Sequence, residues 1–134
     1  MKTFYVLFLA SSMSLIVSCS KDDESTIVAS GGLKVTLYSE DGKNSTSSFT
    51  GYTFDFKSND VVTAVKNSEV ITGLWKEVVD SGRTKFVLGF NKTGIFDGIS
   101  EDWTLVSKSD TSIKLSHTSG NSSNISVDIL EFGR

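Results

Sequence analysis

Proline is absent from the 134-residue sequence, and cysteine and histidine occur once each. One cysteine excludes an internal disulfide framework and a cysteine-built zinc site, and one histidine leaves few ways to assemble a transition-metal centre. Basic charge is scarce as well: 13 Lys and Arg against 16 Asp and Glu give a formal charge of −3. Nucleic-acid binders need a concentrated basic face, so this balance gives no electrostatic case for such a partner. No Gly-x-Ser-x-Gly element and no phosphate-cradling glycine-rich loop occurs, and no cofactor is expected. What is present, 38% hydrophobic and 22% charged residues, reads as one globular domain rather than a disordered chain.

The first residues carry the strongest local pattern. Lys2 supplies a positive start, and Phe4 to Val17 form an apolar run softened by Ser11, Ser12 and Ser14. That run has the build of a secretory signal peptide and is too short to span a membrane. It ends in Ile16-Val17-Ser18-Cys19, followed at once by the polar run Ser20-Lys21-Asp22-Asp23-Glu24. The tetrapeptide resembles the bacterial lipobox, which implies cleavage before Cys19 and acylation of its thiol and new amino group. More than one acyl chain makes a stable anchor, because each buried CH₂ contributes only about 0.8 kcal/mol. The acidic residues after the cysteine resemble the export signal that sends lipoproteins of Bacteroidetes-type bacteria to the outer face of the outer membrane. The chain thus divides into a signal peptide over 1–18, a lipidated cysteine with a Ser-, Asp- and Gly-rich linker over 19–32, and a domain over 33–134.

From Leu33 onward the pattern has a period of two broken by turn residues, which predicts an all-β domain, an antiparallel meander of about seven or eight short strands. Leu33, Val35 and Leu37 alternate with Lys34, Thr36 and Tyr38; Tyr52, Phe54 and Phe56 alternate with Thr53, Asp55 and Lys57. Turns at Ser58-Asn59-Asp60, Asn67-Ser68 and Asp80-Ser81-Gly82 separate further strands over 61–66, 69–78 and 84–90, and short connections make consecutive strands neighbours. Asn91 to Ser100 reads as a loop or single helical turn. Strands over 102–108, 112–117 and 125–132 complete the chain, with turns at Ser109-Asp110 and Ser119-Gly120-Asn121. In the last strand Ile125, Val127 and Ile129 lie on one parity and Leu130 and Phe132 on the other, which calls for a bulge or for cover on both faces. The expected core is Tyr52, Phe54, Phe56, Trp75, Phe86, Leu88, Trp103, Leu105, Ile113, Leu115 and Phe132.

Gly51-Tyr52-Thr53-Phe54-Asp55-Phe56, Gly73-Leu74-Trp75, Glu101-Asp102-Trp103-Thr104-Leu105-Val106, Ile113-Lys114-Leu115 and Asp128-Ile129-Leu130-Glu131-Phe132 carry a further resemblance. The domain resembles the small lipocalin-like lipoproteins of Bacteroidetes-type bacteria, a family of unknown function. The resemblance implies a barrel or partly open barrel, anchored by lipid to the cell outer membrane and exposed at the surface.

Chemistry-bearing constellations are few. Asp97, Glu101 and Asp102 form a local carboxylate group without EF-hand spacing, and Glu77 and Asp80 have nothing to fix a glycosidase-like separation. Neither group reads as a metal or catalytic site, and the chain is not expected to be an enzyme. Candidate ligand contacts are Tyr52, Phe54, Phe56, Phe86 and Phe90 inside the sheet, with Trp75 and Trp103 as stacking surface or core and His117 as a polar handle or rim residue. Two binding roles follow, one for a small apolar ligand or envelope component and one as a protein–protein module; a hydrolase comes third. An interior cavity lined by these aromatics would favour the first, and the same aromatics packed solid beneath an exposed apolar face would favour the second.

Overall fold

Five two-residue turns, Asp41-Gly42, Asn67-Ser68, Ser81-Gly82, Asp110-Thr111 and Ser122-Ser123, dictate most of the topology. Asp41, Gly42, Asn67, Ser81 and Gly82 all take positive φ, the backbone that lets a tight hairpin follow the right-handed twist of its strands. The computed structural model describes residues 32–134. The signal peptide, Cys19 and nearly all of the linker expected over 19–32 lie outside the described residues.

The strands are β1 (Lys34–Glu40), β2 (Lys43–Asn44), β3 (Thr53–Phe56), β4 (Val61–Lys66), β5 (Glu69–Asp80), β6 (Arg83–Phe90), β7 (Asp102–Ser109), β8 (Ser112–Asn121) and β9 (Asn124–Gly133), with 3₁₀ turns at Thr46–Phe49 and Gly94–Phe96. They form one antiparallel sheet in the order β2-β1-β9-β8-β7-β6-β5-β4-β3. The run β3 to β9 is the expected meander. The first strand lies beside the last, with Lys34 opposite Gly133 and Ser39 opposite Ile129. The ladder does not close into a barrel. Its two sides meet at one bridge, where Leu33 and Phe54 exchange backbone hydrogen bonds of 2.7 Å in both directions. The result is a partly open barrel.

Inward-facing residues of every long strand and both 3₁₀ turns build one core. Phe54, Phe56, Phe86, Trp103, Ile113, Leu115 and Phe132 are buried, joined by Leu33, Phe49, Phe96, Ile99 and Leu130 from outside the expected set. Leu105 is half-buried at its edge, because the β7–β8 register shifts between Leu105 and Ser107 and turns the strand there.

Three local expectations are corrected. A bulge between Val35 and Leu37 resets β1, so Tyr38 turns inward and is buried while Leu37 is only half-buried. In β9 no bulge is needed: its pairing with β8 runs unbroken from Ser112–Gly133 to Asn121–Asn124, which sends Leu130 and Phe132 inward and leaves Ile125 and Val127 exposed. The β8 strand also continues through Ser119-Gly120-Asn121, and the turn falls two residues later. The strand that alternation did not reveal is β2, whose two residues are too few to show a period.

Candidate functional site

The eight residues singled out as ligand contacts divide between the interior and one end of the barrel. Phe56 lies 5.9 Å from Trp75, 5.8 Å from Phe86 and 5.2 Å from Phe132 between ring centroids, and Trp75 stacks on Phe86 at 5.4 Å. Higher in the barrel, Phe54 meets Phe132, Phe90 and Phe96, and Tyr52 meets Phe96 edge-on at 5.3 Å. The indole N–H of Trp75 donates to the Lys57 carbonyl at 2.9 Å and that of Trp103 to the Ile99 carbonyl at 3.0 Å, which satisfies both polar edges inside the protein. Apart from Trp103, these rings contact one another in a continuous chain where a ligand would have to lie.

His117 is separate from that chain. It points to the inner side of β8, in line with Ile113 and Leu115, but sits near the far end of the strand, half-buried, with its ring 6.1 Å from that of Trp103. Its Nδ1 stands 3.6 Å from Oδ2 of Asp128, the one buried charged side chain among the described residues. Asp128 accepts the Asp41 backbone N–H at 2.8 Å and the hydroxyls of Ser119 and Ser126, each at 3.4 Å. Both serines therefore donate to the carboxylate that His117 faces, and the carboxylate ties the β1–β2 turn to the β8–β9 hairpin. Asp128 shares its parity with Leu130 and Phe132, and an acid on an otherwise apolar inner face is the signal by which the sequence could have disclosed it.

Tyr38 joins the same end through the bulge in β1. Its hydroxyl donates to Oε2 of Glu40 at 3.0 Å, and its backbone N–H donates to Thr46 Oγ1 at 2.9 Å, which pins the Thr46–Phe49 turn over the barrel. Burial first, then the hydrogen bond to Glu40 and the negative charges of Glu40, Asp128 and Glu101, push the Tyr38 phenol well above its ordinary range. Gly98 packs against that phenol so closely that a Cβ would stand 2.3 Å from the Tyr38 oxygen. A second polar unit lies nearby: the Tyr52 hydroxyl donates to Glu69 at 2.9 Å, and Lys92 forms an ion pair with the same carboxylate. The Lys92 and Tyr52 donors hold the Glu69 carboxyl below its usual value, while burial and the carboxylate raise the Tyr52 phenol.

At this end the acids Glu40, Asp41, Glu69, Asp97, Glu101, Asp102 and Asp128 outnumber Lys43, Lys66 and Lys92. Between the two 3₁₀ turns a solvent-open hollow of about 160 Å³ is lined by Tyr38, Glu40, Ser45, Ser48, Ile95 and Gly98 among others. It is smaller than the roughly 300–1,000 Å³ of ordinary small-molecule sites. Its carboxylate, hydroxyls and one exposed isoleucine suit a cationic or amide-bearing side chain of a larger partner. No group of three or more metal-ligating side chains occurs among the described residues. These features define a ring-filled antiparallel β domain with an acidic, loop-covered end. Comparison with protein-family models, curated proteins and solved structures returned no match.

Proposed function

We propose that this chain is a surface-exposed lipoprotein, anchored through Cys19 to the cell outer membrane, whose β domain is a non-catalytic module that binds a protein of the envelope. The observation that carries the choice of a protein partner over a small apolar ligand is the ring-to-ring packing of Phe54, Phe56, Trp75, Phe86 and Phe132. Rings in contact through the middle of the barrel favour recognition by the outer surface. The acidic end, with its two 3₁₀ turns and the hollow between them, is the surface with the most varied chemistry, and it favours a partner segment bearing Lys or Arg.

The test has three readouts on the full chain expressed in its own cells. Mass spectrometry should find an acylated amino-terminal Cys19, and Cys19→Ala should release the protein from membranes or leave it unprocessed. A photo-crosslinking residue placed at Ile95 should capture a discrete envelope protein, while one at Lys114, on the outer wall of β8, should not. Native mass spectrometry of the purified protein should show the acylated polypeptide alone; a stoichiometric apolar small molecule carried with it would overturn the protein-partner reading.

A further inference from the structure

At 12 residues, β5 is longer than β4 at 6 and β7 at 8. The last β4–β5 pair is Val61 with Leu74, and β7 joins β6 only from Lys85 onward, so the tip from Lys76 to Thr84 has no flanking strand in the ladder. It projects from the end of the barrel opposite the acidic loops, the end from which β1 starts and to which residues before Gly32 are joined. Two adjacent valines stand bare on it, Val78 40% and Val79 77% exposed. Lys76, Arg83 and Lys85, the last donating to Thr104 Oγ1 at 3.4 Å, share one face of the hairpin with Val78 and Asp80. Val79 lies on the other face opposite Thr84, beside Glu77, which is paired with Lys108 of β7.

We infer that this tip is a membrane contact: it seats Val78 and Val79 in the interfacial layer of an anionic lipid surface, with Lys76, Arg83 and Lys85 on the headgroup charges. The inference rests on the anchor reading of Cys19, since an anchored chain holds one end of the domain at a lipid surface. The choice of occupant follows from charge. The chain as a whole is acidic, with a net −3, and its far end concentrates that acidity, so an anionic surface repels the loop end and attracts the hairpin end. A bare valine tip with cations along one face of its hairpin is what an interfacial contact requires, whereas the same valines gain nothing in water. The anchor supplies the residence on the membrane; the hairpin fixes the orientation, with the acidic end turned outward to its partner. Each Lys or Arg held near such a surface contributes about 1 kcal/mol, roughly fivefold in the docked population.

The test uses the processed, acylated chain carrying Val79→Cys labelled with an environment-sensitive fluorophore, reconstituted on vesicles of phosphatidylcholine with phosphatidylglycerol. The label at Val79 should shift to the blue and be quenched by brominated acyl chains, and the same label at Ile125→Cys, on the acidic end, should stay in water. Reversing Arg83 and Lys85 to Glu, or replacing phosphatidylglycerol by phosphatidylcholine, should reduce the shielded fraction severalfold. Protein retained on the vesicles with the Val79 label as wet as the Ile125 label overturns the hairpin contact and leaves the anchor standing. A blue shift that brominated chains do not quench also overturns it, because Val79 then lies against protein. Loss of the acylated chain from the vesicles instead overturns the anchor reading itself.

Discussion

Phe54 concentrates what single side chains do in this domain: it is buried, touches rings from several elements and carries the backbone bridge to Leu33. Phe54→Ala should cost about 3–5 kcal/mol, a large part of the stability of a domain this size, read as a lower midpoint of urea unfolding. Leu74, 65% exposed on the outside of β5, is the control, and Leu74→Ser should move stability by no more than about 0.5 kcal/mol. The two tyrosines of the domain make a pH prediction. Both phenols are raised in the folded protein, so the folded state holds protons that the unfolded state releases near pH 10, and stability must fall as pH rises past that value. Absorbance at 295 nm should therefore place tyrosinate formation in the folded domain at higher pH than in the urea-unfolded chain. In a Tyr52→Phe variant, tyrosinate forming at the same pH in the folded and unfolded chain would contradict the Tyr38–Glu40 geometry.

At the scale of elements, the β8–β9 hairpin has one position where backbone meets backbone. Gly120 takes φ of +98°, and a Cβ there would stand 1.9 Å from the Asn124 carbonyl oxygen. Gly120→Ala should fray the hairpin tip at a cost of about 1–3 kcal/mol while sparing the rest of the domain. Hydrogen exchange should quicken at Ser119 to Val127 and remain slow at Ile113 and Leu130. The same hairpin shows what the sequence discloses and what it conceals. Alternation at Phe54 and Phe56, at Phe86 and Leu88 and at Ile113 and Leu115 marks strands and their inner faces directly, because the side-chain period of a strand is fixed at two. One inserted residue between Val35 and Leu37 reverses that parity without leaving a mark in composition, and so Tyr38 and its partner Glu40 were not legible as parts of a site. His117 was legible as an inward-facing residue of its strand, but Asp128 was not, because the split parity of the last strand left its inner face open and their meeting depends on which residue of β8 lies opposite which residue of β9. Phe49, Phe96 and Ile99 were hidden for another reason: they enter the core from loops, where no period exists to announce burial.

For the molecule as a whole, the decisive pairing is the one between β1 and β9, made across nearly the full length of the domain. Leu130 and Phe132 are both buried, and each truncated side chain of that kind is worth about 2–5 kcal/mol, against a total stability of about 5–15 kcal/mol for an ordinary domain. Removing residues 130–134 should therefore leave a chain that circular dichroism finds unfolded and proteases degrade, while removal of Arg134 alone, exposed beyond the last strand, should be tolerated. Contacts this distant in sequence are also the slowest to form, because the closure entropy of the intervening chain comes before any reward from the ladder. A chain that emerges from a ribosome amino terminus first offers β1 only the two residues of β2 and the Leu33–Phe54 bridge until β9 arrives. The seating of the first strand beside the last thus acts as a timer: the sheet stays incomplete while the strands between them emerge and locks only when β9 arrives.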